Sequence, residues 1–596
     1  MASITKTYRF IFKHLLSYLS LFITSIVVIY AGIIPLFTLI GSIMLRLAGV
    51  RYLSNTNFVE VVTNHPFLDI GCLLLILAVI VAIYWQVTFL FLGIMQINQG
   101  KKLALNSLIT LSFQRVRHTF GRAVGYLLIY CLIILPFGGL GISTPLLNKV
   151  RVPDFIINYF LYENRPLLLV LILLYLVTFY LGIRFFLALP LIILGRSTGR
   201  QAVQKSWRLT KLNFKTIVKQ LGLLIVVNVG LSILGQALIL ALQALADHHL
   251  PASWDYWAAS INLLLIELVL LLMSIALGTG SLMIMADQLK NQASFVISSR
   301  KLSNQLQRLS YQSGKHWWFK ALAGVLFLGI LGFNALYLNG FFTSTPLTIS
   351  HRGVNAKNGV QNTIPALINT SRLHPDFIEM DLHETKDHQF VVMHDENLKQ
   401  LTGVNKRPHD LTLRQITRLT ARENGTSAKV ASFDDYLATA ERLHQRLLVE
   451  LKTTKRDSSN SITTFNKRYG KRLVANHDEV HSLDYDAVEK LKTLNPKLQV
   501  GYILPFNFIG VPQSKADFYT MEHSTLNNSF LITAQLTGRK VYAWTVNDRD
   551  AMAKLTFMGV NGIITDNLET LQRTIQQLNH HPNYVSRLLN FTVELG

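Results

Sequence analysis

Hydrophobic and polar positions divide this chain into two unlike halves. Up to about Phe342, long apolar runs alternate with polar connectors, and crossing a bilayer as a helix takes about 20 apolar residues. Seven runs are long enough: 15–45, 67–95, 123–143, 166–195, 217–246, 257–289 and 318–343. Several exceed the minimum, so tilt, or kinks at Pro35, Pro136 and Pro190, is expected. From about Thr348 the pattern becomes short β-rich runs alternating with helical ones. Strands are expected at Leu347–Arg352, Phe377–His383, Phe390–Met393, Arg446–Lys452, Glu479–Leu483, Gln499–Leu504, Phe518–His523, Val541–Val546 and Gly562–Thr565. Helical patterns cover Thr363–Ser371, Phe433–Leu443, Tyr485–Leu494, Ser529–Thr537, Asp548–Phe557 and Leu568–Leu578. Such alternation over about 250 residues predicts a parallel sheet with crossover helices, closed as an eight-stranded barrel. The expected fold is an α-helical polytopic membrane domain, residues 1–346, followed by a TIM-type α/β barrel, residues 347–596.

Charge sharpens this division. Residues 348–596 carry 30 Lys and Arg against 26 Asp and Glu, whereas the N-terminal part carries 27 against 8. The basic excess lies in loops beside apolar spans. It therefore points to anionic membrane lipid and topology signals, not to nucleic acid. The N-terminus holds Lys6, Arg9 and Lys13, and every second connector is rich in base, around Arg115, Arg208 and Arg308. The intervening connectors are poorer in base or carry acid, as at Asp247 and Asp255. The positive-inside rule then gives a cytoplasmic N-terminus, and an odd number of spans puts the barrel outside a plasma membrane. The basic connectors mix apolar and basic residues at helical spacing, as headgroup-facing amphipathic helices do.

Both cysteines, Cys72 and Cys131, fall within apolar runs, so the soluble half has neither a disulfide framework nor a cysteine metal site. The first apolar run is too long for a signal-peptide core and is expected to be retained. Arg184 and Glu267 lie inside spans, where charge is costly. They read either as a structural pair or as the lining of a polar cavity for a lipid headgroup or polymer. The glycines at 138–141 and at 278 and 280 read as helix ends or close packing.

In a barrel of this kind the site lies at the C-terminal ends of the strands. His351, Arg352 and Gly353 end the first strand, and Glu379 and Asp381 share one face of the second because strand side chains alternate. His394 and Asp395 end the next apolar run, Glu450 and Lys452 share a face of the following strand, and Trp544 ends a later one. Glu379, Asp381 and Glu450 supply hard oxygen ligands suited to Ca2+ or Mg2+. His351 and His394 can flank a phosphorus, one assisting the nucleophile and the other protonating the leaving alkoxide. Arg352 offers a fork of donors to phosphate, and Lys452 a point charge. No zinc pattern of Cys and His, serine elbow or nucleotide-binding glycine loop competes with this set.

In this order the residues resemble the glycerophosphodiester phosphodiesterase family over 349–596. The match runs through His351-Arg352-Gly353, Gln361-Asn362-Thr363, Glu379-Met380-Asp381, Thr385-Lys386-Asp387 and His394-Asp395. It continues through Glu450-Leu451-Lys452, Ala543-Trp544-Thr545-Val546-Asn547 and Gly562-Ile563-Ile564-Thr565-Asp566. The multi-span half resembles the membrane domain attached to some members. The resemblance implies a barrel that uses a divalent cation, commonly Ca2+ or Mg2+, to cleave glycerophosphodiesters into glycerol phosphate and an alcohol. It assigns catalysis to His351 and His394, metal binding to Glu379, Asp381 and Glu450, and phosphate contact to Arg352 and Lys452. Trp544 falls within the match and is expected at the substrate. The segment from about Glu396 to Leu443 sits where the family carries a small insertion beside the site. One departure is Gln361, where the family usually has Glu. Gln keeps size and hydrogen bonding but loses the charge, and activity is expected to survive it because the ligand and histidine positions are intact.

Other functions fit the same sequence. The spans could bind or move a lipid-linked glycerophosphate, with the barrel as a non-catalytic recognition module. The barrel could instead act as a lysophospholipase D. The natural substrate is expected to be lipid-derived or a glycerophosphate polymer.

Overall fold

A computed structural model describes residues 2–50, 63–100, 105–134, 165–194, 197–291, 317–339, 345–506, 510–580 and 584–595, with single positions at 61, 103 and 304. They separate into two compact units. One holds Met1–Ala48 and His65–Asn334, the other Gly49–Asn64 and Ala335–Gly596.

Among the described residues of the first unit, five helices are long and apolar enough to cross a membrane: Leu15–Leu47, Pro66–Asn98, Leu168–Leu194, Gly199–His249 and Ser253–Leu289. They correspond to five of the seven apolar runs. The run at 123–143 begins in helix Leu105–Ile134 and then leaves the described residues, as does the 138–141 glycine cluster. The run at 318–343 coincides with helix Trp317–Leu338. The basic connector before the fifth run is not a separate element. It continues into the span as one helix of 51 residues, opened by a Thr198–Gln201 capping box and bent at Asn213. No Gly or Pro separates the two, so nothing stops the helix. Val226, Ile233 and Leu242 on this helix are exposed, as lipid-facing side chains are. Gly280 has the close-packing role expected of it: a Cβ there would meet Leu224 at 2.7 Å.

Arg184 and Glu267 do not pair. Arg184 is buried with its guanidinium 4.4 Å from the centre of the Trp207 ring. Glu267 accepts a 3.0 Å hydrogen bond from Asn334. Each found a nearer partner, an aromatic face for the cation and an amide for the acid.

The second unit is an eight-stranded parallel barrel. Its strands are β1 (Leu347–Ser350), β2 (Phe377–Glu384), β6 (Leu447–Leu451), β7 (Glu479–Ser482), β8 (Gln499–Leu504), β9 (Phe518–Glu522), β10 (Lys540–Trp544) and β11 (Gly562–Thr565). Each pairs in parallel with the next, and β1 closes the ring by pairing with both β11 and β2. β3 (Phe390–Val392) runs antiparallel along the end of β2. A hairpin of β4 (Thr420–Glu423) and β5 (Thr426–Lys429) stands apart from the barrel sheet. Alternation along the strands divides the apolar residues into two layers. Ile378, Met380, Val449 and Val500 pack against helix residues such as Phe465, Tyr469 and Leu491. Ile349, Phe377, Leu448, Phe518, Tyr542 and Ile564 form a second, separate cluster. Two residues further along β2 and β6, the sequence changes from these apolar residues to acids, and the site begins there.

Candidate active site

At the end of β1 the chain turns sharply, with Arg352 and Gly353 at φ of 53° and 70°. Gly353 also packs so tightly that a Cβ would meet the Tyr436 hydroxyl at 3.1 Å, so glycine suits both demands. The turn directs the Arg352 backbone N–H to Glu379 Oε2 at 2.8 Å. The side chain reaches Gln361 Oε1 through Nη1 at 2.6 Å and approaches Asp381 with Nε at 3.7 Å. His351, beside it, has its Nδ1 on Asp566 Oδ1 at 2.8 Å. Asp566 in turn accepts from Asn547, and burial notwithstanding, His351 and Asn547 hold its carboxyl down at about 2.

The three expected acids converge. Strand register sets Asp381 of β2 opposite Glu450 of β6, and Glu450 opposite His481 of β7. Glu379 and Asp381 are both fully buried side chains at 3% and 1% exposure. Burial, with Asp381 and Glu450 close by, pushes the Glu379 carboxyl well above the usual range. Asp381 goes the other way. Burial opposes its charge, but Lys452, His394, Arg352 and Asn362 together hold it well below that range. Its oxygens meet Lys452 Nζ at 3.2 Å and Asn362 Nδ2 at 2.8 Å. Lys452 also donates to Glu450 at 2.7 Å, so one ammonium bridges two carboxylates that would otherwise repel.

His394 has its Nδ1 on Asp395 at 2.8 Å, the same carboxylate-to-imidazole pairing as in His351 and Asp566. In both histidines the carboxylate fixes the ring and leaves Nε2 to exchange protons. His383 accompanies them: its Nε2 bonds the His394 carbonyl at 3.0 Å, and burial depresses its basicity. Trp544 ends β10, where its indole N–H donates to the Thr520 carbonyl at 3.3 Å and its ring packs beside the cluster of Ile349 and Tyr542.

Two participants went unread in the sequence. Glu423, on the β4–β5 hairpin, accepts from the Gln361 backbone at 2.9 Å and from its side-chain amide at 2.7 Å. His481 lies with Glu379 and Glu450 so that one ligand atom from each falls within 4.8 Å of the others. Burial pushes the His481 imidazole down to about 3, which keeps it neutral. The residues suit a divalent cation. Two acids crowd together where water is excluded, and the Nε2 of His481 beside them has no hydrogen-bond partner. The signal for His481 was the period of two: Glu479 and His481 alternate along β7 as Leu448 and Glu450 do along β6.

Beside this cluster, the inserted segment and the loop after β6 enclose a cavity of about 440 Å³ whose lining includes His383, Glu396, Arg407, His409, Lys455 and Arg456. Its bases outnumber its single acid, so it favours an anion.

Comparison with known proteins identifies the family. Residues 4–331 match the family model described as the membrane domain of glycerophosphoryl diester phosphodiesterase. Residues 351–570 match that of the glycerophosphoryl diester phosphodiesterase family. The Bacillus subtilis protein YhdW, provisionally named a glycerophosphodiester phosphodiesterase, is 29% identical over 232 residues, 37% of this chain and 93% of its own. Human lysophospholipase D GDPD1 is 24% identical over 262 residues, 37% of this chain and 82% of its own. The crystal structure of a glycerophosphodiester phosphodiesterase from Parabacteroides distasonis aligns with a TM-score of 0.36 and 24% identity, over 40% of this chain and 100% of that one.

Proposed function

The chain belongs to the glycerophosphoryl diester phosphodiesterase family of phosphoric diester hydrolases, and from that premise we propose a specific reaction for its barrel. It hydrolyses a glycerophosphodiester to glycerol phosphate and an alcohol, using a divalent cation and His351 and His394. The observation that carries this reading is the single cluster of Glu379, Asp381 and Glu450 with Lys452 and Arg352, next to two histidines each held by its own carboxylate.

In this reading Arg352 and Lys452 bind the phosphate, and Asp381 orients both cations toward it. A cation bound by the acids, Ca2+ or Mg2+ in the family, would polarise the phosphoryl oxygen and offset charge as it develops. One histidine takes a proton of the attacking water at Nε2 as the water oxygen bonds to phosphorus. The other delivers a proton to the departing alkoxide as the phosphorus–oxygen bond breaks. Asp566 and Asp395 each stabilise the imidazolium formed on their partner. Trp544 offers an aromatic wall to the glycerol side of the substrate.

The basic cavity favours a substrate with further negative charge beyond the scissile phosphate, such as a glycerophosphate polymer or an anionic lipid headgroup. A multi-pass membrane protein meets both at the plasma membrane, and the base-rich connectors support a cytoplasmic N-terminus with the barrel outside. The lysophospholipase D reading is favoured by the names of the human, rat and mouse relatives. Arg184 and Glu267 contact separate partners, so they do not support a transport role as a pair.

The purified protein should release glycerol phosphate from glycerophosphocholine and polyglycerophosphate faster than it cleaves lysophosphatidylcholine. His351→Ala, His394→Ala and a chelator should each lower the rate at least about 100-fold. Full activity in both variants would refute the assignment of the histidines.

A further inference from the structure

We propose that His481 binds the cation directly through Nε2 beside Glu379 and Glu450, and that this nitrogen biases the site toward a borderline transition ion such as Mn2+ over Ca2+. The proposal rests on the phosphodiesterase reading only in supposing that these acids hold a cation.

Three observations lead to it. The first is distance: ligand atoms of the three residues lie within 4.8 Å of one another, about the width of a coordination shell with bonds of about 2.1–2.4 Å. The second is that Nε2 of His481 is unpartnered although the residue is only 2% exposed. A histidine kept for packing alone would turn its nitrogen toward a polar partner or face it to apolar atoms. This one lies against two carboxylates that cannot donate to it when ionised. The third is orientation. Nδ1 lies 3.0 Å from the Thr520 hydroxyl, which can accept an Nδ1–H and so leave the lone pair on the unpartnered Nε2.

Neighbours leave the position clear and hold the ring in place. The next strand carries Gly501 in register with His481, where a Cβ would strike the Phe518 ring at 2.1 Å. Phe518 thus fills the space beside the imidazole, their ring centres 6.4 Å apart. The donor set brought within 4.8 Å is two carboxylates and an imidazole. Oxygen-only sets suit Ca2+ and Mg2+, whereas imidazole favours transition ions.

Metal binding itself provides the test, on the full chain in detergent and without substrate. Calorimetric titration with Mn2+ and with Ca2+ should show His481→Gln losing Mn2+ affinity at least about tenfold, with Ca2+ affinity changed by less than about threefold. Pulsed EPR of the Mn2+-loaded protein should show nitrogen modulation that the variant lacks. Thr520→Val, which leaves the ligand in place but frees its ring, should lower Mn2+ affinity by a smaller factor. If His481→Gln fails to fold, the wild-type nitrogen signal and Thr520→Val decide. Mn2+ binding with no nitrogen modulation, or an unchanged Mn2+ to Ca2+ ratio in a folded variant, overturns the proposal while leaving the phosphodiesterase reading intact. Absence of any divalent binding overturns both.

Discussion

Gln361 shows how one residue can depart from a family pattern without unsettling the site around it. Its carbonyl oxygen accepts from Arg352 and its amide donates to Glu423, so the uncharged side chain links Arg352 to a carboxylate on the hairpin. The charge missing at 361 has moved one residue outward, to Glu423. A glutamate at 361 would set two carboxylates against each other at hydrogen-bond distance and lose the amide donor. Gln361→Glu is therefore expected to lower kcat/KM about tenfold, equivalent to about 1.4 kcal/mol. Glu423→Gln in the same chain should restore most of it, giving a coupling of about 1–3 kcal/mol in a double-mutant cycle. Independent, additive losses in steady-state kinetics would show that Glu423 does not compensate.

At the scale of single elements, β7 carries opposite demands at its two ends. His481 faces the acids of the site, while Asp478, just before the strand, caps the start of the β6 ladder by accepting the Leu447 N–H at 2.6 Å. Asp478 is 2% exposed, and burial raises its carboxyl to about 7, above the unfolded value of about 3.9. The folded protein thus holds this proton more tightly than the unfolded chain. The stabilising contribution is complete below about pH 4 and is lost as pH rises to about 7. Asp478→Asn keeps the acceptor and removes the charge, so its melting temperature should exceed wild type by several degrees at about pH 8 and converge with it near pH 4. A gap that does not depend on pH would mean the carboxyl is ionised throughout. The same scale explains what the sequence did and did not reveal. Every barrel strand was visible as a short β-rich run, because parallel strands buried on both faces carry little else. Helix Ser461–Ala475 was hidden by its surface Lys467, Arg468, Lys471 and Arg472, although Ile462, Phe465, Tyr469 and Leu473 do repeat at helical spacing. The β4–β5 hairpin was overlooked despite its Asn424-Gly425 turn, both residues at positive φ, because its strands hold few apolar residues. Glu423 went with it. Trp207 and Asn334 meet Arg184 and Glu267 through contacts distant in sequence, where no local pattern shows.

At the scale of the whole molecule, the division of charge supports the proposed orientation of the two halves. The barrel half is nearly balanced in charge, whereas the N-terminal part carries 27 bases and 8 acids, with the bases grouped in alternate connectors. If those groups are retained on the cytoplasmic side, an odd number of spans would deliver the barrel outside. A barrel outside the cell would meet substrates made or held at the outer surface, while one inside would compete for soluble glycerophosphodiesters. The two cases separate experimentally, because the only native cysteines are Cys72 and Cys131 and both can be replaced by serine. In that background, Arg414→Cys marks an exposed site on the barrel and Lys211→Cys an exposed site on a basic connector. A membrane-impermeant maleimide on intact cells should label the first and reach the second only after permeabilisation. Labelling of Lys211→Cys but not Arg414→Cys on intact cells would invert the topology and, with it, the class of substrate the enzyme can reach.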